Sequence, residues 1–112
     1  MTQATGTRGR ARGIRRVPVE DDLTRLNGPT TGVVQLPNRL LWQPDVHLDL
    51  SDRALLQFLY ETVLREAHTG EELETWLDGE TLIRLWPDLY LPRAVREQWE
   101  RKHPELRTPA AA

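Results

Sequence analysis

The chain has no cysteine and only one serine, one phenylalanine and one methionine in 112 residues. Without thiols, disulfide staples, thiolate metal centres and cysteine nucleophiles are all excluded. Hydroxyls and carboxylates are then the remaining nucleophiles. The lone serine, Ser51, stands at the head of a periodic apolar run, where the role of helix N-cap accounts for it. No stretch approaches the roughly 20 apolar residues of a membrane span, and the first residues lack the apolar part of a signal peptide. A cytoplasmic chain without membrane contact is the expectation. Phosphate-cradling loops are missing as well. The glycine-rich TGTRGRARG at residues 5–13 has no flanking strand and helix and no lysine–hydroxyl pair.

What is present is leucine, 18 of them, with four tryptophans, so the core rests on aliphatic contacts and a few large anchors. The net charge of −2 conceals a division. Residues 1–17 carry Arg8, Arg10, Arg12, Arg15 and Arg16 and no acid, whereas the remaining 95 residues have a net charge of −7. The arm has almost nothing to bury and is expected to be disordered. Its arginines suit a polyanion, since binding releases phosphate counterions, or the acidic body of a neighbouring subunit. Without interleaved aromatics they do not resemble a base-stacking surface.

The strongest periodicity lies in SDRALLQFLYETVLREA, residues 51–67, where Leu55, Leu56, Leu59, Tyr60, Val63, Leu64 and Ala67 recur at spacings of three and four. This spacing predicts a long helix, and Phe58, beside the main stripe, suggests cover on more than one face. Upstream, Leu23 and Leu26 allow one helical turn that Asn27-Gly28-Pro29 stops. Residues 32–36, with β-branched Val33 and Val34, are the best strand, and residues 39–43 are the expected return strand after a Pro37-Asn38 turn. Leu36, Leu40 and Trp42 are then placed against the long helix. Residues 45–50 alternate polar and apolar, which puts Asp45, His47 and Asp49 on one face. Those side chains are of ligand type for Zn²⁺ or Mn²⁺, but a solvated strand face gives the same pattern, and no metal or cofactor is assigned.

Downstream, Thr69 and Glu72 form a capping-box pattern for a helix over 70–78. Asp78 is placed to cap a second helix ending at Pro87, and Pro92 suits the first position of a third over 92–102. Arg93, Arg96, Glu97, Glu100, Arg101 and Lys102 should face water there. The spacing of the first two helices is that of a helix-turn-helix, yet Glu71, Glu72, Glu74 and Glu80 would repel DNA. First-turn glutamates are otherwise expected from the helix dipole. His68, just past a helix end, is suited to a last-turn carbonyl. Trp76, Trp86 and Trp99 are expected in the core, while Trp42 and Tyr90 fall in connectors, where half-exposed rings act as interface anchors.

Leu36, Pro37, Leu40 and Trp42, then Tyr60, Glu61, Val63, Leu64, Arg65 and Glu66, then Leu85, Trp86, Leu89, Leu91, Pro92, Val95, Arg96 and Trp99 form a pattern over residues 36–99. That pattern resembles a small actinobacterial family of uncharacterised and regulator-like proteins. The resemblance implies an antitoxin or accessory partner of a nucleotidyltransferase-like toxin.

The expected architecture is mainly α: a long central helix packed by three short C-terminal helices, with an N-terminal extended or β-hairpin element. The basic arm would occupy 1–17, the domain 18–104 and a frayed tail 105–112. The expected function is non-enzymatic protein interaction, with another protein or a second copy as partner. The alternative is a DNA-binding regulator using the arm with Arg93, Arg96, Arg101 and Lys102.

Overall fold

Leu59, Tyr60 and Val63 are completely shielded from solvent, and around them the rest of the chain is built. They belong to α1 (Arg53–Glu66) in the computed structural model, which describes residues 17–43 and 45–107. Leu56, Thr62 and Leu64 are buried with them, so most of the helix circumference is covered. Among its large apolar side chains Phe58 is the exception and stays partly exposed. Ser51 does not cap this helix. Asp49 Oδ1 accepts both the Ser51 N–H at 3.0 Å and its hydroxyl at 2.7 Å. The cap passes to Asp52, whose carboxylate accepts the Ala54 N–H at 2.9 Å and also complements the helix dipole. A short polar side chain finds its backbone partner two residues away, and here two such chains compete.

Three shorter helices follow, α2 (Gly70–Trp76), α3 (Gly79–Leu85) and α4 (Arg93–Lys102), so the described chain is mainly helical, as the sequence predicts. Thr69 caps α2 through the Glu72 N–H at 3.2 Å, and Glu72 reaches back to the His68 N–H at 2.7 Å. The capping box is thus present with its return bond displaced by one residue. Asp78 caps α3, accepting the Thr81 N–H at 3.1 Å and its hydroxyl at 2.9 Å.

The junction between α2 and α3 is the busiest point of the fold. Tyr60 Oη on α1 accepts the Asp78 N–H at 2.8 Å. Residues 26–28, just after the 3₁₀ turn Leu23–Arg25, run antiparallel to the same junction. Gly28 N–H donates to Leu77 O at 2.7 Å and Gly79 N–H donates to Leu26 O at 3.1 Å. Burial pushes the Tyr60 phenol up to about 12. The fold therefore favours the neutral phenol. That stabilisation is complete below the ordinary value of 10.0 and is lost as pH rises through 12. In a Tyr90→Phe background Tyr60 is the sole tyrosine. Its phenolate absorbance should appear near pH 12 and coincide with loss of helical circular dichroism. A transition at the ordinary value with the fold intact would overturn this.

The sheet differs from expectation. β1 (Val33–Val34) pairs antiparallel with β2 (Leu48–Asp49), in register Val33 to Asp49 and Val34 to Leu48. It does not pair with residues 39–43. Those residues are diverted because Pro37 O accepts the N–H groups of both Leu40 and Leu41, at 2.9 and 3.0 Å, which coils residues 38–40 into a turn. That turn sends Leu40 into the core, along with Leu36, while Trp42 points outward and is 78% exposed. The alternation of residues 46–50 holds: Leu48 and Leu50 are buried, His47 and Asp49 exposed. Asp45 is exposed as well, but its backbone is not extended: its φ is positive, at 59°.

At the C-terminal end, Pro92 is the N-cap residue of α4, with extended backbone, instead of its first helical residue. The tail after α4 is tied down as far as Arg107: the 3₁₀ turn Pro104–Leu106 drives Leu106 into the core, where it is 1% exposed. Val17 likewise belongs to the body, buried at 8% exposure. Apolar burial outweighs the polar surroundings at both boundaries. Residues 108–112 of the expected tail lie outside the described residues.

Candidate interaction surface

Large apolar side chains that a folded chain leaves in water are informative when the backbone beneath them is fixed. Val33, Trp42, Phe58 and Tyr90 are the exposed large hydrophobics among the described residues. Tyr90, at 85% exposure, is the extreme case. It lies between Leu89 and Leu91, both buried, so the connector before α4 is nailed down on either side of the ring. Its N–H donates to Glu61 Oε2 on α1 at 2.7 Å. Two residues earlier, Asp88 pairs with Arg53 of α1 at 2.7 Å. The ring is therefore presented by an ordered backbone, which lowers the entropy that binding would have to remove.

The connector is also held from the other side, by Arg96. Its guanidinium lies 5.0 Å from the centre of the Trp86 ring and donates to the carbonyls of Leu89 and Trp86. Glu100 completes the group, accepting the Trp86 indole N–H at 2.9 Å and facing Arg96 at 3.5 Å. Arg96 and Glu100, expected to face water, are instead folded over Trp86. A guanidinium both stacks and forks its donors, which suits it to exposed carbonyls beside a ring. Sequence periodicity offers no signal for this, since a stem on the polar side of a helix can still turn inward.

The other expected contact residues are dispersed. Arg93 is highly exposed and bonds Glu97 at 2.9 Å. Lys102 pairs with Asp21, which lies on the segment before the first 3₁₀ turn. Arg101 is exposed, beside a shallow groove between α4 and residues 17–19 that Val17, Val19, Ala94 and Glu97 also line. Arg8, Arg10, Arg12, Arg15 and Arg16 lie outside the described residues. The structure thus brings Arg93, Arg101 and Lys102 to one helix, with the carboxylates of Glu97 and Asp21 among them.

Several groups with chemical potential are engaged in structural bonds. Glu72 accepts from the Arg39 guanidinium, Nε at 2.9 Å, and this hydrogen bond holds its carboxyl below the usual range. His68 does not cap a carbonyl; its Nδ1 faces Arg39 Nη1 at 3.0 Å, and since a guanidinium only donates, Nδ1 accepts. Asp49 is held low by the Ser51 hydroxyl. Among the described residues, no three His, Asp or Glu side chains are grouped to hold a metal ion, Asp45, His47 and Asp49 included. No described helix is long and apolar enough to cross a membrane. Trp76 is half-buried against the core, while Trp86 and Trp99 are inside it. The chain matches no protein-family model, and no curated protein or solved structure is significantly similar to it.

Proposed function

We propose that the chain is a non-enzymatic protein-interaction module that docks on another protein through Tyr90 and Trp42. The observation that carries this reading is Tyr90, a ring 85% exposed on a connector whose neighbours Leu89 and Leu91 are buried. Tyrosine and tryptophan are among the side chains that dominate binding energy at protein interfaces, and Tyr90 stands on an anchored backbone. The sequence resemblance supplies the kind of partner: a nucleotidyltransferase-like toxin, with this chain as its antitoxin or accessory subunit.

The test is a nuclease-treated pull-down with tagged wild-type protein and with Tyr90→Ala and Trp42→Ala. Each substitution should weaken capture of one stoichiometric partner by about 2 kcal/mol, roughly thirtyfold, with the circular dichroism unchanged. Capture that both variants retain, or recovery of nucleic acid alone, would sink the reading. The second result would transfer the function to the arginine arm. A concentration-dependent dimer in sedimentation, abolished by Tyr90→Ala, would make the partner a second copy.

A further inference from the structure

Once the ion pairs of α4 are assigned, two guanidiniums at its C-terminal end are left over. Arg93 is bonded to Glu97, Arg96 to Glu100 and Lys102 to Asp21. Arg101 and Arg107 are exposed, and neither forms an ion pair with a described carboxylate. Both line one shallow cleft of about 370 Å³, with Glu97, Glu100 and Pro104. The acids of that cleft are already engaged, Glu97 by Arg93 and Glu100 by Arg96 and the Trp86 indole. Glu105, on the same 3₁₀ turn as Pro104, faces His103 Nδ1 at 3.7 Å. Glu97 and Arg101 also line the groove between α4 and residues 17–19, so the cleft and the groove are continuous. Ala94, Glu97, Gln98 and Arg101 recur at spacings of three and four, which runs the groove along one face of α4. Val17, on its other wall, donates its N–H to Gln98 Oε1 at 3.4 Å. Residues 1–16 join the body at Val17, so the five arginines of the arm are tethered at this groove. Arg8, the most distant, is nine residues away, at most about 30 Å of extended chain. One turn of duplex DNA is about 34 Å long.

We propose that this face of α4 is a nucleic-acid backbone site, in which Arg101 and Arg107 take phosphates beside the arginines of residues 1–16. The site goes beyond the protein-docking reading and does not depend on it, since neither Tyr90 nor Trp42 lines the cleft or the groove. A guanidinium presents a planar fork of donors that matches phosphate oxygens two at a time. Cations spread along α4 and a tethered arm suit a linear polyanion better than an isolated ion. No aromatic side chain lines the cleft or the groove, so bases have nothing to stack on and the contacts go to the backbone, whatever the sequence. The net charge of −2 does not oppose this. At 0.1 M salt a surface charge acts over about 10 Å, so the local groups decide.

Fluorescence anisotropy of the full chain on a labelled DNA duplex of about 20 base pairs, from about 50 to about 200 mM salt, tests the site. Each phosphate contact adds about 0.9 to the slope with which log affinity falls against log salt. With two arginines on the body and five on the arm, wild type should bind with a slope of about −6. Replacing Arg101 and Arg107 together by alanine should make the slope shallower by about 2, and replacing the five arm arginines by alanine in the full chain by about 4.5. Arg84→Ala, which removes an exposed guanidinium from α3, should leave the slope unchanged. Circular dichroism should be the same for all the variants. No binding at about 50 mM salt, or a double Arg101 and Arg107 variant with the wild-type slope, would overturn the proposal. So would an equal loss in Arg84→Ala, or tighter binding of a polyglutamate peptide than of the duplex.

Discussion

Gly28→Ala and Gly79→Ala should each cost about 3 kcal/mol, read as a fall in the urea midpoint followed by circular dichroism. The reason is steric and local. A Cβ on Gly28 would lie 2.3 Å from the Trp76 carbonyl carbon and 2.5 Å from the Leu77 nitrogen. On Gly79 it would lie 2.4 Å from the Leu23 carbonyl oxygen. All three obstacles are backbone, so no rotamer change relieves the clash. The backbone cannot withdraw without breaking the Gly28 to Leu77 and Gly79 to Leu26 hydrogen bonds, which satisfy groups at the α2–α3 junction. Two other glycines serve as internal controls. Gly32 has a φ of 87° and open space around it, so alanine there meets only backbone strain of about 1–2 kcal/mol. Gly70 has its nearest neighbour at an ordinary 3.8 Å, so alanine should be close to neutral. A Gly28→Ala variant within about 0.5 kcal/mol of wild type, below the usual range for overpacking, would show that residues 26–28 can be displaced from the junction.

The same junction marks the limit of what the sequence reveals. α1 and the three short helices are legible because their signals are local: a 3.6-residue period, Thr69 and Asp78 as caps, and Gly and Pro as breaks. The strip at residues 26–28 is not legible, because its partner is some fifty residues away and pairing of so short a stretch leaves no pattern. β1 was legible as a strand, but its partner was not. Residues 39–43 and 48–49 are both apolar enough, and Pro37 O settles the matter by capturing two amides in a turn. The Ser51 cap failed for a related reason, since Asp49, Ser51 and Asp52 offer rival side-chain bonds within four residues.

Of the candidate surface, Trp42 and Tyr90 could be singled out because large rings in connectors have no helical face to follow. Their exposure depends on which way the connector turns, and for Tyr90 that follows from Leu89 and Leu91 both facing inward. The burial of Glu20 is hidden from the sequence. Glu20 reads as one acid in a polar run, and nothing in its neighbourhood marks it as buried.

Trp86→Phe and Trp99→Phe should separate sharply, although both rings are buried and their centroids lie 6.3 Å apart. Truncating either to alanine should cost about 4 kcal/mol, the usual range for a buried indole. The phenylalanine variants isolate the N–H. Trp86 donates its indole N–H to Glu100 Oε2 at 2.9 Å, a bond to a charged acceptor worth about 1.5–3 kcal/mol. Losing it also loosens Glu100 beside Arg96, and with it the carbonyl contacts that fix the Tyr90 connector. Trp99 is different: its indole nitrogen is buried with no acceptor among the described residues. Its phenylalanine variant removes an unsatisfied donor, which offsets much of the lost packing against Trp86 and against His103, whose ring centroid is 6.0 Å away. Trp99→Phe should therefore stay within about 1 kcal/mol of wild type, and Trp86→Phe should fall at least about 1.5 kcal/mol below it in urea denaturation. Only Trp86→Phe should weaken partner capture, because only Trp86 shares its acceptor and its guanidinium with the backbone that presents Tyr90. Equal losses in the two variants would mean that the Glu100 bond contributes nothing net, and that packing alone holds the connector in place.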